Sequence, residues 1–201
     1  MSQIKLLHSG GNGVILSAPA SNPASDRTLT LPGDADGTIL TSNSSTGKIL
    51  QVVSTSKTDT ASQASTDNFV DISGMSLSIT PSATSSKILI MYAMRLSCNS
   101  DDNIAHRLMR DSTAIHIGDA AGSRTQVTGC IRIIGNEKYD MRTESSVFLD
   151  SPSTTSATTY KLQWTSTYAT GNFYLNRDDY NADNNDYTRG ASSITAMEVA
   201  A

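Results

Sequence analysis

Lys87-Ile-Leu-Ile-Met-Tyr-Ala-Met-Arg-Leu-Ser97 decides the fold class of this 201-residue chain. In an extended backbone successive side chains point to opposite faces, so Ile88, Ile90, Tyr92, Met94 and Leu96 share one side and Lys87, Leu89, Met91, Ala93 and Arg95 the other. The first side is a core face. The second is too apolar for plain solvent, which predicts a cover over it, either another layer or a neighbouring subunit.

The same alternation recurs on both sides of this segment. In Thr158 to Ser166 the residues Tyr160, Leu162 and Trp164 fall on a core side, and Lys161, Gln163 and Thr165 on a solvent side. Further strands are expected at Lys48 to Ser54, Met75 to Thr80, Ile104 to Arg110, Ala114 to Gly118, Gly129 to Gly135, Ser145 to Asp150, Asn172 to Asn176 and Ser192 to Val199. Thr55 to Asn68 holds no apolar residue larger than Ala and is expected to be a surface loop. Thr80-Pro-Ser-Ala-Thr-Ser-Ser86, Asp119-Ala-Ala-Gly-Ser123 and Asp150-Ser-Pro-Ser-Thr-Thr-Ser156 carry the residues that turns require. Roughly eight to ten antiparallel strands over residues 48–201 is the size of a jelly-roll-like β-sandwich. The chain is read as all-β.

Residues 1–47 are of another kind. Ser9-Gly-Gly-Asn-Gly-Val-Ile-Leu-Ser-Ala-Pro19 and Asp26-Arg-Thr-Leu-Thr-Leu-Pro-Gly-Asp-Ala-Asp-Gly-Thr-Ile-Leu-Thr-Ser42 alternate short β-branched and leucine runs with Gly, Pro, Asn and Asp. Strands this short bury too little to offset their ordering entropy. They form an extended attachment strap that must lie against its own copies or a larger scaffold.

That strap resembles the adaptor module near the N-termini of tail fibres of tailed bacteriophages, especially those of cyanobacterial phages: a strand ending in Ala18-Pro19, a Thr28-Leu-Thr-Leu-Pro32 strand, then a Gly37-Thr-Ile-Leu-Thr41 step. The runs KILQVVSTS, LSITPSATSSKILIMYAMRLS, HRLMRDSTAI and YNADNNDYTRGASSITAMEVA are similar to successive strands of the head domains of such fibres. The resemblance implies a virion tail protein assembled in a host cytoplasm. It further implies a homotrimer, tail or baseplate partners held through residues 1–47, and a head that meets a host surface glycan or protein. The alternative is a purely structural baseplate, neck or decoration fibre whose head only trimerises.

Composition narrows the rest. Charged residues make up 17% of the chain and aromatics 5%, and Ser and Thr supply more than a quarter, which argues against long exposed helices. A net charge of -4 leaves no basic stripe for phosphates, so no nucleic-acid partner is expected. Met1-Ser-Gln-Ile-Lys-Leu-Leu-His8 lacks a signal-peptide core, and Ile88 to Met94 is too short to span a bilayer, so a soluble, cytoplasmically made protein without membrane insertion is expected. Cys98 and Cys130 are then expected as buried free thiols rather than a disulfide.

No enzyme is expected. The only histidines are His8, His106 and His116, no Gly-x-Ser-x-Gly elbow is present, and His106 and His116 read as polar packing or subunit-contact groups on strands. Glycan cleavage needs two carboxylates across a groove, and fibre depolymerases are generally long repeated β-helices, for which the chain is too short. A calcium loop is half-sketched by Asp179, Asn181 and Asp183, but Asn184 stands at the turn glycine and Gly190 at the bidentate glutamate, so no metal or cofactor is expected.

What remains is aromatic asymmetry. Seven of the eleven Phe, Trp and Tyr residues follow residue 159, and Tyr180 and Tyr187 lie in a polar loop. With an even strand count the last strand returns toward the chain's entry, which would place that loop at the far tip. Tyr180, Asn181, Asp183, Asn184, Asn185, Asp186 and Tyr187 are therefore the candidate receptor contact, the alternative being that the tyrosine rings cap the edge of the sandwich.

Overall fold

The computed structural model describes residues 3–7, 10–11, 13–17, 48–99, 102–133, 140–166 and 171–200. The chain divides into two compact units, Met1–Ser44 and Ser45–Ala201. In the first, β1 (Gln3–Leu7) and β2 (Gly13–Ser17) pair as an antiparallel hairpin, with Gly11 at a positive φ of 92° in the connection. The Thr28–Pro32 and Gly37–Thr41 steps of the expected strap, and His8, lie outside the described residues.

The second unit contains β3 (Ile49–Lys57), β4 (Ala61–Ala64), β5 (Val70–Ile79), β6 (Lys87–Cys98), β7 (Asp102–Arg110), β8 (Thr113–Ile115), β9 (Gly129–Ile133), β10 (Arg142–Asp150), β11 (Thr158–Ser166), β12 (Asn172–Leu175) and β13 (Ser192–Val199). Every pairing is antiparallel and no described residue is helical.

These pieces reduce to eight lines. Along one edge of β6, β12 pairs at Leu96–Cys98 and β13 at Lys87–Ala93, so the two are one line interrupted by the 176–191 segment. On the other side of that line β3 pairs β13 and β4 pairs β12, making a second composite line. Along β7, β8 and β9 form a third. One sheet is then β3/β4, β12/β13, β6, β10, and the other β5, β11, β7, β8/β9. Every connection from one line to the next crosses between the sheets except the β7–β8 hairpin, which is the winding of a jelly roll.

The inward residues of both sheets interleave. Ile88, Ile90, Met94 and Leu96 of β6 meet Ile104 and Leu108 of β7, Tyr160, Leu162 and Trp164 of β11, and Ile194 and Ala196 of β13. Fully burying each of the larger side chains contributes about 1.5–3 kcal/mol. Trp164 and Phe173 pack edge to face at 4.8 Å.

Several expectations are corrected. Thr55 to Asn68 is not simply a loop: β3 runs on to Lys57, and β4 gains its backbone partners from β12. The strand expected over Ala114 to Gly118 stops at Ile115, because His116 turns left-handed with φ 55°. Thr165 is buried rather than wet, donating to the Thr66 carbonyl at 2.7 Å. Cys98 is buried and outside any disulfide, whereas Cys130 is exposed on β9, a line at the edge of its sheet.

Candidate functional site

The site candidate is the segment between β12 and β13. Asn176 has φ 62°, a left-handed angle that Asn tolerates better than most residues, and it turns the chain out of the β12/β13 line. Its side chain is buried and saturated. Nδ2 donates to the carbonyls of Lys57 (2.8 Å) and Asp59 (2.9 Å), while Oδ1 accepts from Ser192 Oγ at 2.6 Å. Its amide donates to the Arg95 carbonyl and its carbonyl accepts from the Gly190 amide, so the neck of the excursion is closed where Arg177 bridges Arg189.

Asp178 fixes the loop interior. It is 1% exposed; Oδ1 accepts from the Asn181 amide at 2.8 Å and Oδ2 from the Thr188 amide at 3.0 Å, tying the two limbs together. Charge-assisted bonds of this kind are about twice as strong as neutral ones. Asn184 Oδ1 accepts from the Asp186 amide, an Asx turn, and the Tyr187 amide donates to the Asn184 carbonyl. The rings of Tyr180 and Tyr187 stack at 5.4 Å with 29° between planes. At the base, the Arg177 guanidinium lies 3.6 Å over the Tyr174 ring and donates to the Asp179 carbonyl at 3.1 Å.

All seven candidate residues lie on this excursion. Tyr180, Asn181, Asp183, Asn184, Asn185 and Asp186 are exposed, and Tyr187 is half-buried beneath Tyr180. A depression of about 300 Å³ gathers Asn181, Asp183, Asn184 and Tyr187 and adds Asp178, Thr188 and Arg189, which sequence reasoning missed. The signal for Asp178 was its place three residues before Asn181, the spacing of a side chain that binds a following amide.

The far-tip expectation needs correction. β13 does run antiparallel to β3, with Val199 opposite Ile49 and Ser192 opposite Lys57, so the loop is remote from the chain's entry at Lys48. It leaves from mid-line, however, not from a strand end, because β12 continues the line beyond it. It stands on the outer face of its sheet: a Cβ on Gly190 would sit 2.9 Å from Cγ of Arg95, a residue of that face.

The other chemistry is internal. His106 is 1% exposed, its Nε2 is 2.7 Å from Tyr92 Oη, its Nδ1 has no hydrogen-bond partner, and burial lowers its pKa to about 4. His116 Nε2 lies 3.0 Å from Ser146 Oγ and its ring stacks on Phe148 at 4.6 Å. Among the described residues no group of three His, Cys, Asp or Glu is placed to hold a metal ion.

No known family and no curated protein matches the chain. Among solved structures it is similar to a chain of the infectious bursal disease virus particle, at 10% identity and a TM-score of 0.41 over 86% of this chain and 40% of that one. It is also similar to a chain of the Gx strain of that virus, at 12% identity and 0.38 over 94% and 49%. A third is from the VP2 subviral particle, at 13% and 0.36 over 95% and 48%. The chain spans less than half the length of each, and likeness at this level identifies neither a shared fold nor a function.

Proposed function

We propose that the chain is a virion structural protein, and within that class a tail fibre of a tailed bacteriophage. Residues 1–47 dock it to tail or baseplate proteins, and residues 48–201 form a homotrimeric head that contacts a host surface glycan or protein, after assembly in the host cytoplasm. It binds and does not react. The observation that carries this reading is the 176–190 excursion: buried Asn176 and Asp178 hold a stacked tyrosine pair and a row of amides and carboxylates outward. Aromatic faces flanked by such groups bind sugars and protein surfaces at low entropic cost, because the loop is already ordered. The sequence resemblance to tail fibres supports the same reading, as does the division of the chain into Met1–Ser44 and Ser45–Ala201. The apolar outer face of β6 and its neighbours favours a second reading, in which the head only assembles copies in a baseplate, neck or decoration fibre.

The test is Tyr180→Ser with Tyr187→Ser in assembled particles. Oligomeric state and melting temperature stay near the parent's, while host adsorption falls about tenfold or more, the equivalent of some 1.4 kcal/mol of contact. Adsorption equal to the parent's removes the loop from host contact. A large loss of stability would show that the rings serve as packing.

A further inference from the structure

The outer face of the first sheet carries a pattern that the host-contact loop does not use. Among the described residues the exposed large hydrophobics are Ile49, Leu50, Val52, Val147, Leu149 and Tyr180, and all but the last lie on β3 and β10, the two edge strands of this sheet. Register joins them into rows. Leu149 pairs with Leu89, Leu89 with Met197, and Met197 with Val52, so four apolar side chains run straight across the sheet at one height. The adjacent row is Val147, Met91, Thr195 and Ser54, and the next is Ser145, Ala93, Ser193 and Ser56. The face is therefore banded: apolar toward the chain's entry, then small and hydroxyl-lined.

We propose that three copies of this chain close with these faces inward, around an axis parallel to the strands, β10 of each copy lying against β3 of the next. The proposal rests on the homotrimer reading and names its interface. Rotation about an axis along the strands keeps every row at its own height, so the leucine and methionine row of one copy meets the same row of its neighbours and the serine row meets serines. Exposure is greatest at the flanks, 61% for Val147, 52% for Leu149 and 54% for Val52, while Leu89, Met91 and Met197 between them are already half-buried. A ring covers the flanks most. A two-fold pairing of flat faces would cover the centre most.

The area agrees with a subunit contact. Five side chains about half exposed, with their half-buried neighbours, make a patch of roughly 400 Å², at the limit of what monomers leave wet. A specific interface takes about 800 Å² from each partner, more than the apolar rows supply, so the hydroxyl-lined rows and the flanking strand edges must be covered as well. Heterologous contacts of this kind close into rings when the rotation allows.

The full chain is examined by light scattering with Val147→Lys plus Leu149→Lys, both on the solvent side of β10 and clear of the core. The parent scatters at about three times 21.3 kDa, and the variant at the single-chain mass with an unchanged cooperative melt. A monomeric parent overturns this interface together with the trimer reading; a dimeric parent does the same. A trimeric parent with a trimeric double-lysine variant overturns the interface alone. Diamide oxidation in a Cys130→Ser background decides the case where the lysine variant does not fold. Val52→Cys with Leu149→Cys, which share a row, gives covalent trimers, and Val52→Cys alone stays monomeric on a denaturing gel. Covalent dimers from the single variant would establish a two-fold contact and refute the ring.

Discussion

Glu198→Gln should unfold at a markedly lower temperature than the parent and lose part of its acid sensitivity. Glu198 lies on β13 between Met197 and Val199, and where those two face outward it points inward and is fully buried. Burial alone would raise its pKa. Hydrogen bonds from Ser82 Oγ (2.6 Å), Gln51 Nε2 (2.6 Å), Ser86 Oγ (2.7 Å) and the Ser82 amide (2.7 Å) override that and lower it from 4.5 to about 2. All four donors are neutral, so the carboxylate is held as it would be at a helix cap, by donors rather than by a cation. The group ionises more readily folded than unfolded. Its contribution is complete above about pH 4.5 and is lost as pH falls toward 2, with a size of about 3 kcal/mol for a depression of this extent. Glutamine keeps one acceptor oxygen but turns an N–H₂ toward a donor that the carboxylate accepted, so about 2–3 kcal/mol should be lost at pH 7. For a domain of this size that is about 5–10 °C. Calorimetry of parent and variant between pH 7 and pH 2 checks both effects. The curves should converge as pH falls, because the parent loses what the variant never had. A variant with the parent's melting temperature at pH 7, or a gap that stays constant into acid, would refute the reasoning.

His106 behaves similarly in a different window. Burial lowers its pKa from 6.5 to about 4, so the unfolded chain takes up a proton first and stability falls as pH drops from 6.5 toward 4; His106→Gln should flatten the melting temperature over that interval alone. Gly129→Ala should cost about 1–3 kcal/mol by denaturant titration, since its new Cβ would lie 2.6 Å from Cε1 of the buried His106 ring and 3.1 Å from Glu144 Oε2. A neutral result there would mean that β9 shifts freely at the sheet edge.

The fold was legible wherever one face of a strand had to be dry. Lys87 to Ser97 and Thr158 to Ser166 announce themselves through period-two alternation, and their observed limits differ from the expected ones by at most a residue. β4 was hidden because Ala61-Ser-Gln-Ala64 has almost no apolar contrast, and its place is dictated by the backbone of β12 rather than by its own side chains. Thr165 was misassigned because a hydroxyl can be buried without cost once a carbonyl such as that of Thr66 accepts from it. The strand count misled in a similar way. Eleven pieces form eight lines, and which pieces are collinear depends on shared partners far away in sequence.

The excursion at 176–190 shows where sequence reading ends and why. Its exposed members were identifiable from composition, since no folded core recruits seven neighbouring Asn, Asp and Tyr residues of that kind. Its height above the sheet was not, because it depends on two residues that look like more of the same loop. Asn176 and Asp178 differ from Asn184 and Asp186 only in what surrounds them: the first pair accept from or donate to backbone groups of three other segments and are buried, while the second pair stay wet. That difference decides which carboxamides and carboxylates are structural and which remain available to a ligand. Thr188 and Arg189 enter the depression for the same reason, being carried to Asn181 by the Asp178 tie across ten residues of chain. The shape of this surface is thus set by a buried pair, Asn176 and Asp178. The exposed apolar band set by β3 and β10 lies on the same face, which leaves the excursion on the side that the proposed ring turns toward its axis. A host contact through Tyr180 is then compatible with the ring only if the excursion clears the neighbouring copies beyond the row of Ser145, Ala93 and Ser193. The adsorption and cross-linking experiments therefore constrain each other: Val52–Leu149 cross-links that leave adsorption intact support both readings, and cross-links that abolish it show that the loop must move to be reached.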